Sequence, residues 1–226
     1  MSAATVPISE AARTLFNEQF FLQCIHELAQ RDSDLAGVVA KYGNPPLCVR
    51  EPGFPTLIYI ILEQQVSLAS ARAAYQRLQA AVRPLTPVGF LQLTDIELKQ
   101  IGFSRQKTLY TRLLADSLAC GRFDLGGLDE LHDEAARTAL MALKGIGNWT
   151  ADIYLLSALR RPDIWPIGDL ALATAVQEVK RLRKRPSPVK LEKMSQPWRP
   201  WRAVAARLFW HAYLCKRGQR TATISL

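Results

Sequence analysis

Histidine is nearly absent, with three in 226 residues, and none of His26, His132 and His211 falls at a spacing that pairs it with a second metal ligand. Cysteine is almost as scarce. Cys24, Cys48, Cys120 and Cys215 lie too far apart for a zinc knuckle or for the close four-cysteine cluster of an iron–sulfur site, so all four read as buried free thiols. Long apolar runs are missing as well. The longest, such as Leu57-Ile58-Tyr59-Ile60-Ile61-Leu62, fall well short of the about 20 residues a helix needs to cross a bilayer. The opening Met1-Ser2-Ala3-Ala4-Thr5-Val6-Pro7 has no basic start leading into an apolar core and a cleavage site, so secretion is not indicated. A soluble intracellular protein is expected, in the cytoplasm, nucleoid or nucleus and without a membrane partner. Internal repeats and low-complexity tracts are also lacking, and the absence of heptads favours a monomer.

Acidic residues are outnumbered: 20 Asp and Glu face 29 Lys and Arg, leaving a net charge of +9 and a pI near 9.7. Such a balance serves solubility, and it also suits a polyanionic partner or an acidic membrane surface. At 49% hydrophobic and 22% charged, the chain can bury a core like any globular domain.

Strand signals are few, and most of the length reads as helices of about ten to fifteen residues separated by Gly, Pro, Ser or Asp. An all-α fold is expected. The patterns predict a helix over Ser9–Gln30, another over Phe54–Gln65, and a third capped by Ser67 that carries Arg72, Tyr75 and Leu78. Thr94-Asp95-Ile96-Glu97 has capping-box form. A helix starting at Ser104 places Leu109, Leu113 and Leu118 at core spacing, and a last helix runs from Trp201 to Lys216. Between the later helices, Lys180-Arg181-Leu182-Arg183-Lys184-Arg185-Pro186-Ser187-Pro188 reads as a solvated basic loop whose position also allows contact with a nucleic-acid backbone.

The segment richest in chemical information is Leu143-Lys144-Gly145-Ile146-Gly147-Asn148-Trp149-Thr150-Ala151-Asp152. Its two glycines allow a turn where side chains would clash, just before a helix N-terminus whose amides favour anions. A dinucleotide-binding loop would need a preceding strand and a third glycine. The preceding Asp133–Ala142 is instead Ala- and Leu-rich with helical periodicity, so helix, hairpin and helix is the better reading. Downstream, Asp169 follows Gly168 and precedes a helical pattern over Leu170–Lys180. An aspartate there serves as an N-cap or as a reactive carboxylate, and the local pattern alone leaves both open.

Taken with Phe54-Pro55-Thr56-Leu57, Glu63-Gln64-Gln65-Val66-Ser67, Gly102-Phe103-Ser104-Arg105-Gln106-Lys107, Trp165-Pro166-Ile167-Gly168-Asp169-Leu170 and Trp198-Arg199-Pro200-Trp201-Arg202, the hairpin makes the chain resemble the helix-hairpin-helix DNA glycosylases. Within them it is most similar to the alkylated-base branch called DNA-3-methyladenine glycosylase II. The resemblance runs from about Arg31 to about Tyr213 and keeps the family's order. It implies a single glycosylase domain over residues 1–226, built as two helical lobes with a cleft between them. The helix-hairpin-helix motif, at about 133–160, and Asp169 would both face that cleft. Some relatives carry an N-terminal β domain; the helical pattern before Phe54 leads us to expect none here.

The resemblance also assigns roles. Asp169, 20 residues beyond Trp149, takes the place of the catalytic aspartate. Trp149 stands where strand-cutting relatives have a lysine that forms a Schiff base, which implies a monofunctional enzyme acting on double-stranded DNA with alkylated bases. Trp149, Tyr154, Trp198 and Trp201 are candidates for an aromatic base pocket, with core packing as the alternative for each. Relatives often have an aromatic four residues after the hairpin tryptophan, where this chain has Ile153. Lys144, Gly145, Gly147 and Thr150 would grip phosphate. Gln65 would fill the gap left by a flipped base, or else end a helix as a polar residue. No organic cofactor is expected. Carbonyls of Met141, Leu143 and Ile146 would hold Na+ or K+ at the hairpin when DNA is bound. Gly102–Lys107 either touches phosphates or turns one helix into the next, and Arg199 and Arg202, flanking Pro200 and Trp201 at a helix start, have structural ion pairing as their plain role.

Overall fold

The computed structural model describes residues 16–219, and those residues form helices without a strand. In chain order the helices are α1 Glu18–Arg31, α2 Ser33–Tyr42, α3 Phe54–Glu63, α4 Leu68–Ala81, α5 Pro87–Leu91, α6 Asp95–Ile101 and α7 Arg105–Ala119. After a 3-10 turn at Gly126–Glu130 come α8 Asp133–Met141, α9 Asn148–Ser157, α10 Leu170–Val179 and α11 Pro188–Ser195. A second 3-10 turn, Gln196–Trp198, leads to α12 Arg202–Lys216. None of these helices is long and apolar enough to cross a membrane.

Side-chain caps fix most of these starts, because the first four amides of a helix have no partner within it. Ser67, Thr94, Ser104 and Ser187 each accept from the amide three residues on, and Glu97 returns a bond to the Thr94 amide to close the expected capping box. Asp32 does two jobs. It ends α1 and accepts from the Asp34 and Leu35 amides to start α2, a helix the sequence pattern did not announce. Of the helix expected over Ser9–Gln30, residues 9–15 lie outside the described chain, and Asn17 caps α1 only from Glu18 onward.

The described chain divides into two compact units, residues 51–154 and residues 16–50 with 155–219, the division falling inside α9. In the first unit the apolar run of α3 is the centre: Leu57, Ile58, Ile60 and Ile61 are fully buried, against α4 and α7. In the second, α12 is central. Its Ala203–Phe209 stretch is buried, and α1, α2 and α10 pack on it.

Two expectations about burial need correction. On α7 the inward face is Thr108, Thr111, Leu114 and Ala115, so Leu109 and Leu113 point outward, 51% and 42% exposed, and Leu118 is only half-buried. Of the four free cysteines, Cys24 alone is buried, and burial pushes its thiol up to about 11; Cys48 and Cys215 are partly covered and Cys120 is exposed.

Candidate functional site

The hairpin lies in the first unit. The Leu143 amide donates to the Leu140 carbonyl as α8 ends, the Ile146 amide donates to the Leu143 carbonyl at 3.1 Å, and α9 begins with the Ala151 amide donating to Gly147 at 3.0 Å. Gly145 has φ +91°, a region that L side chains rarely adopt, and a Cβ there would lie 2.3 Å from the Tyr110 ring. Glycine is therefore required at 145 on two grounds. Gly147 is different: a Cβ there would meet nothing within 4 Å, so the clash expected at both glycines exists only at the first. What Gly147 offers is open space beside the first-turn amides of α9, where a phosphate would approach.

Gln64 ties this hairpin to the end of α3. Its side-chain amide donates to the Gly145 carbonyl at 3.1 Å and to the Thr150 hydroxyl at 2.9 Å. Thr150 is 2% exposed, so its side chain serves that bond and a phosphate would meet only its backbone amide. Lys144 is exposed. Gln65, next to Gln64, is exposed and held at φ +57°, a costly conformation for a residue with a side chain. Lys107 braces it from behind, its ammonium donating to the carbonyls of Leu62 at 2.7 Å and Gln64 at 2.9 Å, while burial lowers its pKa. The segment Gly102–Lys107 thus does turn work: Gly102, at φ +116°, closes α6, Ser104 caps α7, and Lys107 points at protein carbonyls.

A buried ion pair joins the two helices of the motif. Arg137 on α8 donates from Nε to Oδ1 of fully buried Asp152 on α9 at 2.7 Å, and Glu134 also accepts from it. Burial alone would lower the Arg137 pKa, and the charges and hydrogen bonds of Asp152 and Glu134 together outweigh it and hold the guanidinium above its ordinary value. Replacing Arg137 by methionine takes one charge-assisted hydrogen bond from that buried carboxylate, so stability is expected to fall by about 1–3 kcal/mol, read as a shift in the urea midpoint.

Asp169 belongs to the second unit. It is the N-cap of α10, with Oδ1 accepting from the Leu172 amide at 2.6 Å and from the Trp210 indole Nε1 at 3.2 Å. The capping alternative raised by the sequence is therefore realised, and the same bonds fix the carboxylate's orientation. Trp210, 7% exposed on α12, carried no sequence signal because its partner lies 41 residues away. Gly168, at φ +88°, makes the turn into the cap.

The four aromatic candidates separate by burial. Tyr154 is fully buried with its hydroxyl accepting from the Gly53 amide at 2.9 Å, and Trp198 is 2% exposed with Nε1 donating to Asp32 at 2.8 Å and its ring against Trp165 and Phe209. Both have the burial and satisfied polar tips of the core-packing alternative. Trp201 is half-buried, donating to Glu27 at 2.8 Å and edge-on to Phe20, and Trp149 is half-buried on the first turn of α9. Arg199 and Arg202 take their structural alternative, both paired with Asp163 at 2.8 Å. No group of His, Cys, Asp and Glu able to hold a metal occurs among the described residues. The carbonyl set of Met141, Leu143 and Ile146 is a different kind of donor, suited to a hard cation. Leu143 already accepts one bond there, which leaves its second lone pair.

Residues 58–200 match the model of the HhH-GPD superfamily base excision DNA repair protein. Among sequence relatives, the chain is 31% identical over 201 residues to a Mycobacterium tuberculosis protein described as a bifunctional transcriptional activator/DNA repair enzyme, covering 83% of this chain and 39% of that one. It spans 66%, 39% and 39% of the lengths of three relatives from Bacillus subtilis and M. tuberculosis. A DNA-3-methyladenine glycosidase from Bacillus halodurans superposes with a TM-score of 0.72 at 26% identity, over 88% of this chain and 91% of that one. The Schizosaccharomyces pombe 3-methyladenine DNA glycosylase, solved in complex with abasic DNA, has the same fold: TM-score 0.73 at 24% identity, over 84% and 95% of the two chains.

Proposed function

The chain belongs to the HhH-GPD superfamily of base excision DNA repair proteins, in the branch of the DNA-3-methyladenine glycosylases, and from that premise we propose that it is a monofunctional DNA glycosylase. It hydrolyses the N-glycosidic bond of alkylated purines, 3-methyladenine and 7-methylguanine, in double-stranded DNA and leaves an abasic site in an uncut strand. The observation that carries this reading is the Asp169 carboxylate, oriented by the Leu172 amide and the Trp210 indole. A carboxylate is an ill-suited group for merely binding a polyanion. It suits a reaction in which positive charge builds on the sugar as the base departs, because a fixed anion stabilises that charge and orients the attacking water.

The other parts follow from the demands of the substrate. The target bond is out of reach inside a stacked duplex, so the nucleotide must leave the helix. Gly145, Gly147, Lys144 and the Thr150 amide hold phosphate, while Gln65, fixed by its neighbour's bonds at an exposed strained position, occupies the gap. Trp149 and Trp201 offer aromatic faces to a purine made cationic by alkylation, an attraction of about 0.5–2 kcal/mol each. Trp149 has no amine, so no Schiff base forms from the hairpin position. The carbonyls of Met141, Leu143 and Ile146 would hold Na+ or K+ there, neutralising one phosphate.

The test is chromatographic detection of free bases released from methylated duplex DNA, made before any alkali treatment, with borohydride added in a parallel reaction. Free 3-methyladenine, an intact strand and no trapped protein–DNA adduct are expected. Duplex binding without base release would replace this reading by a non-catalytic lesion-binding module, and a trapped adduct would replace it by a lyase.

A further inference from the structure

The proposed chemistry leaves one strongly charged surface unused. Between Arg181 and Lys193 stand six cations, Arg181, Arg183, Lys184, Arg185, Lys190 and Lys193, against a single acid, Glu192. This stretch of 13 residues therefore carries five of the chain's nine net positive charges. All six side chains are exposed, and among the described residues none has a hydrogen-bond or ion-pair partner.

Their neighbours in the same unit behave otherwise. Lys180 is bound to Asp32 at 2.6 Å and to Asp34 at 3.0 Å, Arg199 and Arg202 to Asp163, and Lys216 and Arg217 to Glu178. Carboxylates are thus placed beside the flanking cations and withheld from these six. The loop is also held in shape. Arg181 sits at φ +54°, the Leu182 amide donates to the Gln177 carbonyl at 2.9 Å, Pro186 is buried, and Ser187 caps α11. A fixed backbone presents its charges with less entropy to lose on binding than a free tail. On α11, Lys190 and Lys193 stand three residues apart and share a face.

We propose that this surface is a second site for the DNA backbone, a phosphate contact separate from the hairpin, which rests on the reading of the chain as a duplex-DNA enzyme. The spacing within the unit fits. Asp169 opens α10 and the basic stretch follows its other end, ten residues later, so the axis between them is about 15 Å long. At 3.4 Å per base pair, that length corresponds to roughly four or five steps along a duplex. The contacts carry no sequence information, so they raise affinity for any duplex and position the damaged strand without selecting the lesion.

The experiment measures affinity of the full chain for an undamaged 30-base-pair duplex across a salt series, for the parent and for a variant with all six cations changed to glutamine. Each engaged cation adds about 0.9 to the slope of log K against log salt, so a fall in slope of two or more is expected. A fall below two overturns the proposal. Because the six residues are exposed, the variant should fold; Arg183→Gln with Lys184→Gln and Arg185→Gln is the milder version, expected to lower the slope by at least one. Shortening the duplex to three base pairs on either side of a central abasic analogue removes the phosphates in question, and parent and variant should then bind alike. A variant that loses slope on single-stranded RNA but keeps it on duplex DNA would reassign the surface to RNA. If the parent itself binds no duplex, the reading of the chain as a DNA enzyme fails; if it binds and the variants match it, this surface alone is refuted.

Discussion

Asp169→Asn is expected to lower the single-turnover rate of base release by about 10²–10³-fold or more, the scale of loss when one preorganised electrostatic group is removed from an active site. Asparagine is the informative replacement. Its side-chain oxygen can still accept from the Leu172 amide and the Trp210 indole, and asparagine caps helices as well as aspartate does. The start of α10 is then preserved and only the charge is lost. Alanine would remove the cap as well, at about 1 kcal/mol of stability, and would mix folding with chemistry. Removing a negative charge cannot weaken attraction to a polyanion, so duplex affinity should stay level or rise. Rates measured on methylated duplex DNA with enzyme in excess separate the two effects. A mutant within tenfold of the parent would remove the carboxylate from the mechanism and leave Asp169 as a helix cap.

The chain announces its local structure better than its long-range pairing. Thr94 with Glu97, Ser67 and Ser104 are caps whose chemistry acts over three residues, and each helix starts where the cap predicts. The helix-hairpin-helix motif was legible for the same reason, since Gly145 and the helical patterns around it are local facts. Burial was harder. Leu109 and Leu113 fit a helical period as well as Thr108, Thr111, Leu114 and Ala115 do, and only the packing against α3 and α5 decides which face turns inward. Tyr154 and Trp198 looked like pocket residues because an aromatic ring serves both uses; the amide of Gly53 and the carboxylate of Asp32 that claim their polar tips lie 101 and 166 residues away in sequence. Burial would raise the Asp32 carboxyl, but the bonds from Lys180 and Trp198 outweigh it and hold it below the usual range. The roles of Gln64 and Trp210 are hidden from the sequence on the same ground. Gln64 matters through its bonds to Gly145 and Thr150 and Trp210 through its bond to Asp169, partners that no local pattern specifies.

The hairpin glycines separate two requirements that the sequence merges, and substitution at each should part them by a wide margin. Gly145→Val places a β-branched side chain at φ +91°, against about 1–2 kcal/mol of backbone preference, and drives its Cβ into the Tyr110 ring, for about 1–3 kcal/mol of overpacking. A loss of roughly 2–5 kcal/mol in urea unfolding is expected, and the Gln64 bond to the Gly145 carbonyl should go with it. Duplex affinity should drop by at least about tenfold, 1.4 kcal/mol, for every sequence alike, because the amides that face phosphate move with the turn. Gly147→Ala meets no atom within 4 Å, so stability should stay within about 0.5 kcal/mol, the ordinary range for an unobstructed surface change, while affinity still falls because the methyl occupies the approach to the first turn of α9. Adding Tyr110→Ala to Gly145→Val removes the ring but leaves the residue-110 Cβ 2.6 Å away and the backbone strain untouched, so it should recover only part of the lost stability. A Gly145→Val protein with the stability and affinity of the parent would mean that the turn is free to rearrange, and the phosphate grip would then have to be sought elsewhere in the chain.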